Sequence, residues 1–139
     1  MNLAKLTLEL RRDEGVRLKP YRDSVGKLTI GVGRNLDDVG ISDVEADTLL
    51  GNDINRSVAD LDAHLPWWRK LDEVRQRVLA NMAFNMGITK LLTFKNTLYH
   101  VQAGEYLEAA QGMMSSLWAR QVGPRAVRLA QMMRDGGAT

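Results

Sequence analysis

Residues 14 to 33 read EGVRLKPYRDSVGKLTIGVG, from Glu14 to Gly33, and the fold turns on how this run is interpreted. Just upstream, Leu3, Leu6, Leu10 and Glu14 fall within about 60° of one another at roughly 100° per residue, so the opening helix carries a carboxylate on its apolar stripe. Gly15 then stops that helix. Beyond it, Tyr21, Val25, Leu28 to Ile30 and Val32, punctuated by glycines, predict a short antiparallel sheet carrying Asp23 and Thr29. Two acids of unlike environment are thereby brought near one another.

That difference has chemical content. A carboxyl on an apolar face loses solvation of its charged form, so it keeps its proton more readily and suits a general acid. Asp23, in a polar turn between Arg22 and Ser24, suits a base or an electrostatic role. Such a pairing is what hydrolysis of a glycosidic bond needs. Spacing alone also accommodates a plain reading, in which Glu14 is a helix-end charge and Asp23 an ordinary turn residue.

Bulk properties narrow the field. A chain of 139 residues with 45% hydrophobic content supports one folding domain with room for two lobes. There is no cysteine, which removes disulfide and thiolate chemistry and fits maturation in a reducing cytoplasm. Residues 1–60 carry 9 Lys and Arg against 11 Asp and Glu, and residues 61–139 carry 10 against 6, so the net +2 resolves into −2 and +4. A basic C-terminal half favours an anionic polymer such as a bacterial wall. Charges at Lys5, Glu9, Arg11 and Arg12 interrupt any signal-peptide core, and no apolar run is long enough for a membrane span. The expectation is a soluble cytoplasmic protein.

Ser42-Asp43-Val44-Glu45 is a capping box opening a helix expected to run to about His64, with Leu50, Ile54, Val58, Leu61 and Leu65 along one stripe. Its length suits a connector between an N-terminal lobe and a C-terminal helical lobe. Pro66 ends it, and Trp67-Trp68 reads as core packing at the junction rather than a sugar-stacking platform. Asp72 is the expected cap of the next helix and Gly87 its stop. That helix, apolar on nearly every face from Val78 to Met86, is expected to be central and buried. Asn81 and Asn85 share one of its faces, and need partners there: sugar hydroxyls and N-acetyl groups at a cleft, or backbone in the core. Further helices are expected over about 94–103, 105–116 and 124–133, with methionines as core fillers.

Other chemistries are poorly supported. Gly31-Val32-Gly33 is followed by Leu36 where a dinucleotide fingerprint wants glycine. His64 and His100 are isolated, so neither a metal nor any other cofactor is expected. No G-x-S-x-G elbow exists.

The Glu14–Gly33 run closely resembles the catalytic segment of the T-even-type phage lysozymes, the endolysins of glycoside hydrolase family 24. Their pattern is Glu-Gly after the first helix, an Asp nine residues beyond the Glu, a Thr six further on, then Ile-Gly-x-Gly, and Glu14, Asp23 and Thr29 match it. The resemblance extends to Asn81-Met82-Ala83-Phe84-Asn85-Met86-Gly87, similar to the family's central helix, and to Trp118 with Pro124-Arg125-Ala126, similar to its late cleft segment. It departs at Arg34, where the family usually has His.

This resemblance implies an α+β lysozyme-like fold: a small N-terminal β-sheet lobe over about 12–60, a long interlobe helix, and a larger helical lobe over about 61–139 on which the first helix packs. It implies inverting hydrolysis of the β-1,4 bond between N-acetylmuramic acid and N-acetylglucosamine in peptidoglycan, for host cell lysis. Glu14 would be the acid, and Asp23 and Thr29 would position the water. Asn81, Asn85, Trp118 and Arg125 would contact substrate, and Arg125 stands where the family pairs an arginine with the catalytic Glu. The family's His pairs with an acid on the interlobe helix, so Arg34 is expected to pair with Asp53. A monomer is expected, with no nucleic-acid partner and no stable membrane insertion, held in the host cytoplasm until a separate membrane-permeabilising factor gives access to the wall. Two rivals use the same features: a lytic transglycosylase, disfavoured by the presence of both Asp23 and Thr29, and a catalytically silent wall-binding protein.

Overall fold

A computed structural model describes residues 1–137 and has a mainly helical, lysozyme-like α+β fold. The chain forms two compact units, Met1–Leu49 and the remainder from Leu50 onward.

The first unit opens with α1, Leu3–Glu14, whose first turn is capped by the Asn2 side chain accepting from the Lys5 N–H at 3.0 Å. Three antiparallel strands follow in the order β1 (Arg17–Arg22), β2 (Leu28–Gly31) and β3 (Arg34–Asn35). Tyr21 lies opposite Thr29 and Arg22 opposite Leu28; Thr29 in turn faces Asn35 across β2 and β3. Pro20, which donates no N–H, is tolerated because β1 is an edge strand. Val25 and Val32, read from sequence as strand residues, sit in the two connecting turns. Strands of two to six residues offer little apolar surface, and Thr29 is the one buried residue of this unit.

The long helix α2, Asp43–His64, has the predicted limits, and the division between the units falls within it. Its capping box is formed: Ser42 Oγ accepts from the Glu45 N–H at 3.1 Å, and Glu45 Oε1 accepts from the Ser42 N–H at 2.9 Å. Of its apolar stripe, Leu61 and Leu65 are buried, whereas Leu50 and Ile54 remain nearly half exposed. A 3₁₀ turn over Pro66–Lys70 buries Trp68, whose indole N–H donates to Asp62 Oδ1 at 2.8 Å. Arg69 donates to both Asp62 oxygens and lies over the Trp68 ring, 4.7 Å from its centre. First the Arg69 guanidinium and then the indole hold the Asp62 carboxyl down at about 2. Trp68 is core, and Trp67 packs partly buried against that core.

Among the described residues six helices complete the second unit: α3 (Glu73–Met86), α4 (Ile88–Leu91), α5 (Lys95–Ala103), α6 (Tyr106–Met114), α7 (Leu117–Val122) and α8 (Pro124–Asp135). Asp72 caps α3 and Gly87 ends it, as read from sequence. The short α4 and α7 were not anticipated, because four to six residues are too few to display a helical period; the cap of α7, Ser116 Oγ on the Ala119 N–H, was the available signal. Val78, Leu79 and Met82 of α3 are fully buried, with Met113 of α6 and Met133 of α8 filling the same core. Arg75 joins α3 to the end of α8. Its guanidinium donates to the carbonyls of Met133 and Arg134 at 2.6 and 2.9 Å and stacks on Tyr106, satisfying oxygens that the helix end leaves unpaired. Among the described residues no helix is long and apolar enough to cross a membrane.

Candidate active site

Asp23 leaves β1 at the first position of the β1–β2 turn. Its Oδ1 accepts from the backbone N–H of Val25 at 3.0 Å and of Lys27 at 2.8 Å, which fixes the carboxylate without any other side chain. The Asp23 N–H donates to the Lys27 carbonyl at 2.9 Å. Thr29, buried on β2, donates its hydroxyl to that same carbonyl at 2.8 Å. The backbone of Lys27 is therefore held by Asp23 from one side and Thr29 from the other. With its proton committed, Thr29 Oγ1 has only acceptor capacity left to offer.

Glu14 is the last residue of α1 and lies against the β2–β3 turn. Gly33 in that turn has φ +67°, and a Cβ placed on it would stand 2.9 Å from Glu14 Oε2. Only glycine admits both the left-handed backbone and the close carboxylate. The apolar setting expected for Glu14 is not present: Glu14 is exposed, no residue of α1 is buried, and Leu3 and Leu10 are 66% and 44% exposed. A sheet this small has no apolar face broad enough to cover the stripe.

The expected Arg34–Asp53 pair is replaced by two others. Arg34 binds Glu45 through both guanidinium nitrogens at 2.7 Å and donates to the Gly40 carbonyl at 3.1 Å, while Asp53 meets Arg56 one helical turn away at 3.3 Å. The reason is proximity. β3 and the start of α2 are joined by a short loop that presents Glu45, already fixed by its capping role, to the planar guanidinium in bidentate fashion. Arg34 draws the Glu45 carboxyl down to about 2, helped by the Ser42 N–H, and Glu45 raises the Arg34 guanidinium in return.

In the second unit the four residues expected to touch substrate form two side-chain pairs. Asn81 Oδ1 accepts two hydrogen bonds from Arg125, at 2.9 and 2.7 Å, and Asn85 Oδ1 accepts from the Trp118 indole at 2.8 Å. Both asparagines are exposed, so neither bonds backbone in the core; their amide N–H groups remain on the surface as donors. Trp118 is buried edge-on against Phe94. Asn81 and Arg125 line an open groove of about 430 Å³ together with Phe84 and Met132. Among the described residues there is no cluster of three or more His, Cys, Asp or Glu able to hold a metal.

Sequence reasoning did not anticipate the contacts of Gly33 with Glu14, of Lys27 with Asp23 and Thr29, or of Glu45 with Arg34. The Gly-x-Gly run and the capping box were visible as signals, yet neither announces what side chain lies across from it.

A mainly helical protein whose described residues form one small sheet, with an Asp in the first turn, a Thr on the central strand and a Glu ending the first helix, is of the lysozyme class of glycoside hydrolases. The chain belongs to the phage lysozyme family, whose profile matches residues 11–134. It is 30% identical to the pre-baseplate central spike protein Gp5 of Enterobacteria phage T4, over 98% of this chain and 28% of that protein, so it spans little more than a quarter of that relative. It is 27% identical to a probable T4-type lysozyme 1 of Dictyostelium discoideum, over 91% of this chain and 92% of that one. An endolysin of Acyrthosiphon pisum secondary endosymbiont phage 1 is 29% identical, over 84% of this chain and 80% of its own.

Proposed function

We propose that the protein hydrolyses the β-1,4 bond between N-acetylmuramic acid and N-acetylglucosamine in bacterial peptidoglycan, with inversion at the cleaved carbon. Glu14 protonates the leaving glycosidic oxygen. A water held by Asp23 and Thr29 adds to the anomeric carbon from the opposite face, and Asp23 takes its proton as the bond to the leaving sugar breaks. Family membership supports wall hydrolysis in general.

The observation that carries the finer reading is the shared Lys27 backbone. It holds both an ionisable acceptor, whose Asp23 Oδ2 has no hydrogen bond among the described residues, and a hydroxyl oxygen limited to accepting. Two fixed acceptors of this kind suit both protons of one water. Asn81 and Asn85, with Arg125 and Trp118 behind them, offer donors to the glycan's hydroxyl and N-acetyl oxygens.

The test is product analysis on purified peptidoglycan. Hydrolysis yields new reducing N-acetylmuramic ends, and inversion yields the α anomer first by NMR. Anhydro ends would instead indicate a transglycosylase, and binding without new ends a silent wall-binding protein.

A further inference from the structure

The hydroxyl of Thr29 and the N–H of Asp23 both end on the carbonyl of Lys27, and the other end of that same peptide group is the Leu28 N–H. Asp37, in the loop after β3, accepts that N–H on Oδ2 at 2.8 Å. A peptide unit is rigid and planar, with its C=O and N–H pointing in opposite directions. A carboxylate gripping one end therefore sets the orientation of the acceptor at the other. It also polarises the group, making the Lys27 carbonyl a stronger acceptor for the Thr29 hydroxyl. Arg22 reinforces the arrangement: its Nη1 stands 3.7 Å from Asp37 Oδ2 and donates to the Gly26 carbonyl at 3.1 Å, closing the turn that carries Asp23. The next residue, Asp38, touches none of this plane; it holds the Lys27 ammonium at 3.1 Å and the Asn35 amide at 3.0 Å.

We infer that Asp37 is a positioning residue for the reaction, aiming the Thr29 hydroxyl through the single peptide plane between Lys27 and Leu28. This rests on the reading of Asp23 and Thr29 as the pair that holds the water. Asp37 touches neither water nor sugar. Its loss should appear as a slower chemical step and leave substrate binding in place.

The experiment measures kcat and KM on solubilised glycan strands for the wild type, Asp37→Ala, Asp37→Asn, Asp38→Asn, Thr29→Ala, Asp23→Asn and the Asp37→Ala/Thr29→Ala double variant, with folding checked by circular dichroism. Asp37→Ala should lower kcat by about tenfold or more, as small misplacements of reacting groups do, with KM within about twofold. Asp37→Asn keeps an oxygen for the Leu28 N–H and should fall between Asp37→Ala and wild type, which keeps the test valid should the alanine variant unfold. In the Thr29→Ala background, Asp37→Ala should lose most of its effect, because the hydroxyl it aims is gone. Asp38→Asn should turn over like wild type. Wild-type kcat in both Asp37 variants, an equal fold loss with and without Thr29, or an equal loss in Asp38→Asn would each overturn the inference. Should Thr29→Ala and Asp23→Asn themselves retain full turnover, the reading of the water site falls, and the inference with it. Their collapse beside fully active Asp37 variants would sink the positioning role alone.

Discussion

Arg34 and Glu45 form a close ion pair, Nη1 donating to Oε1 at 2.7 Å and Nη2 standing 2.7 Å from Oε2, which ties β3 to the first turn of α2. Glu45 is held at about 2, below the 4.5 of an ordinary glutamate, so its contribution to stability is complete above that ordinary value and is lost as pH falls through about 2. Arginine stays charged throughout, so nothing is lost on the alkaline side, as it would be with histidine. Glu45→Gln retains an acceptor for the Ser42 N–H and removes the charge. The melting temperature of Glu45→Gln should lie below wild type at neutral and mildly alkaline pH, and the gap should close as pH approaches 2. Added salt should shrink it as well, because the pair is partly exposed. A gap that is constant with pH would show that the ion pair is not its source.

Replacing Glu14 by Gln should leave the fold intact and remove turnover, since loss of a general acid costs on the order of 10² to 10⁴ in rate. Glu14 is exposed and has no hydrogen-bond partner among the described residues, so the substitution disturbs no packing. Thermal unfolding and release of reducing ends, measured together, check both halves. Residual activity above about a tenth of wild type would remove Glu14 from the role of acid.

Gly33→Ala should affect both stability and catalysis. The added Cβ would meet Glu14 Oε2 at 2.9 Å from a backbone with φ +67°. A non-glycine residue in such a conformation costs of order 1 to 3 kcal/mol, read by denaturant unfolding. Displacement of the Glu14 carboxyl should slow turnover beyond what lost stability explains. Gly26→Ala, with comparable φ of +83° and open space around its Cβ, should show the backbone cost without that extra loss through Glu14.

Trp68→Ala should destabilise the helical unit by about 3 to 5 kcal/mol, the range for removing a buried aromatic. Trp68→Phe should cost less, retaining most of the packing but leaving Asp62 without the indole N–H. Denaturant midpoints for the two variants check the order. Equal midpoints would place the energy in the hydrogen bond to Asp62, with packing contributing little.

Most of the backbone architecture was legible because its signals are local. The limits of α2, the caps at Ser42 and Asp72 and the stop at Gly87 depend on residues within four positions of one another, where side-chain to backbone bonds are decided by sequence alone. The polar turn at Asp23 was legible for the same reason: the carboxylate binds the N–H groups two and four residues on. The short helices α4 and α7 escaped because periodicity needs length.

The partners of charged side chains were not legible. Arg34 lies 11 residues from Glu45 and further from Asp53, and chain order carries no measure of which carboxylate the loop will present. The environment of Glu14 failed for a related reason: helical periodicity places it on an apolar stripe, but whether a stripe is covered depends on what packs there. The pairing of Asn81 with Arg125 and of Asn85 with Trp118 spans 44 and 33 residues and came only with the tertiary structure. Sequence by itself determined the longer helices and their caps, since these follow from short-range sterics and backbone hydrogen bonding. The tertiary structure decided which groups face one another, including the peptide plane that meets the Asp23 N–H, the Thr29 hydroxyl and the Asp37 carboxylate, because desolvation and ion pairing depend on distances in space that local propensity does not encode.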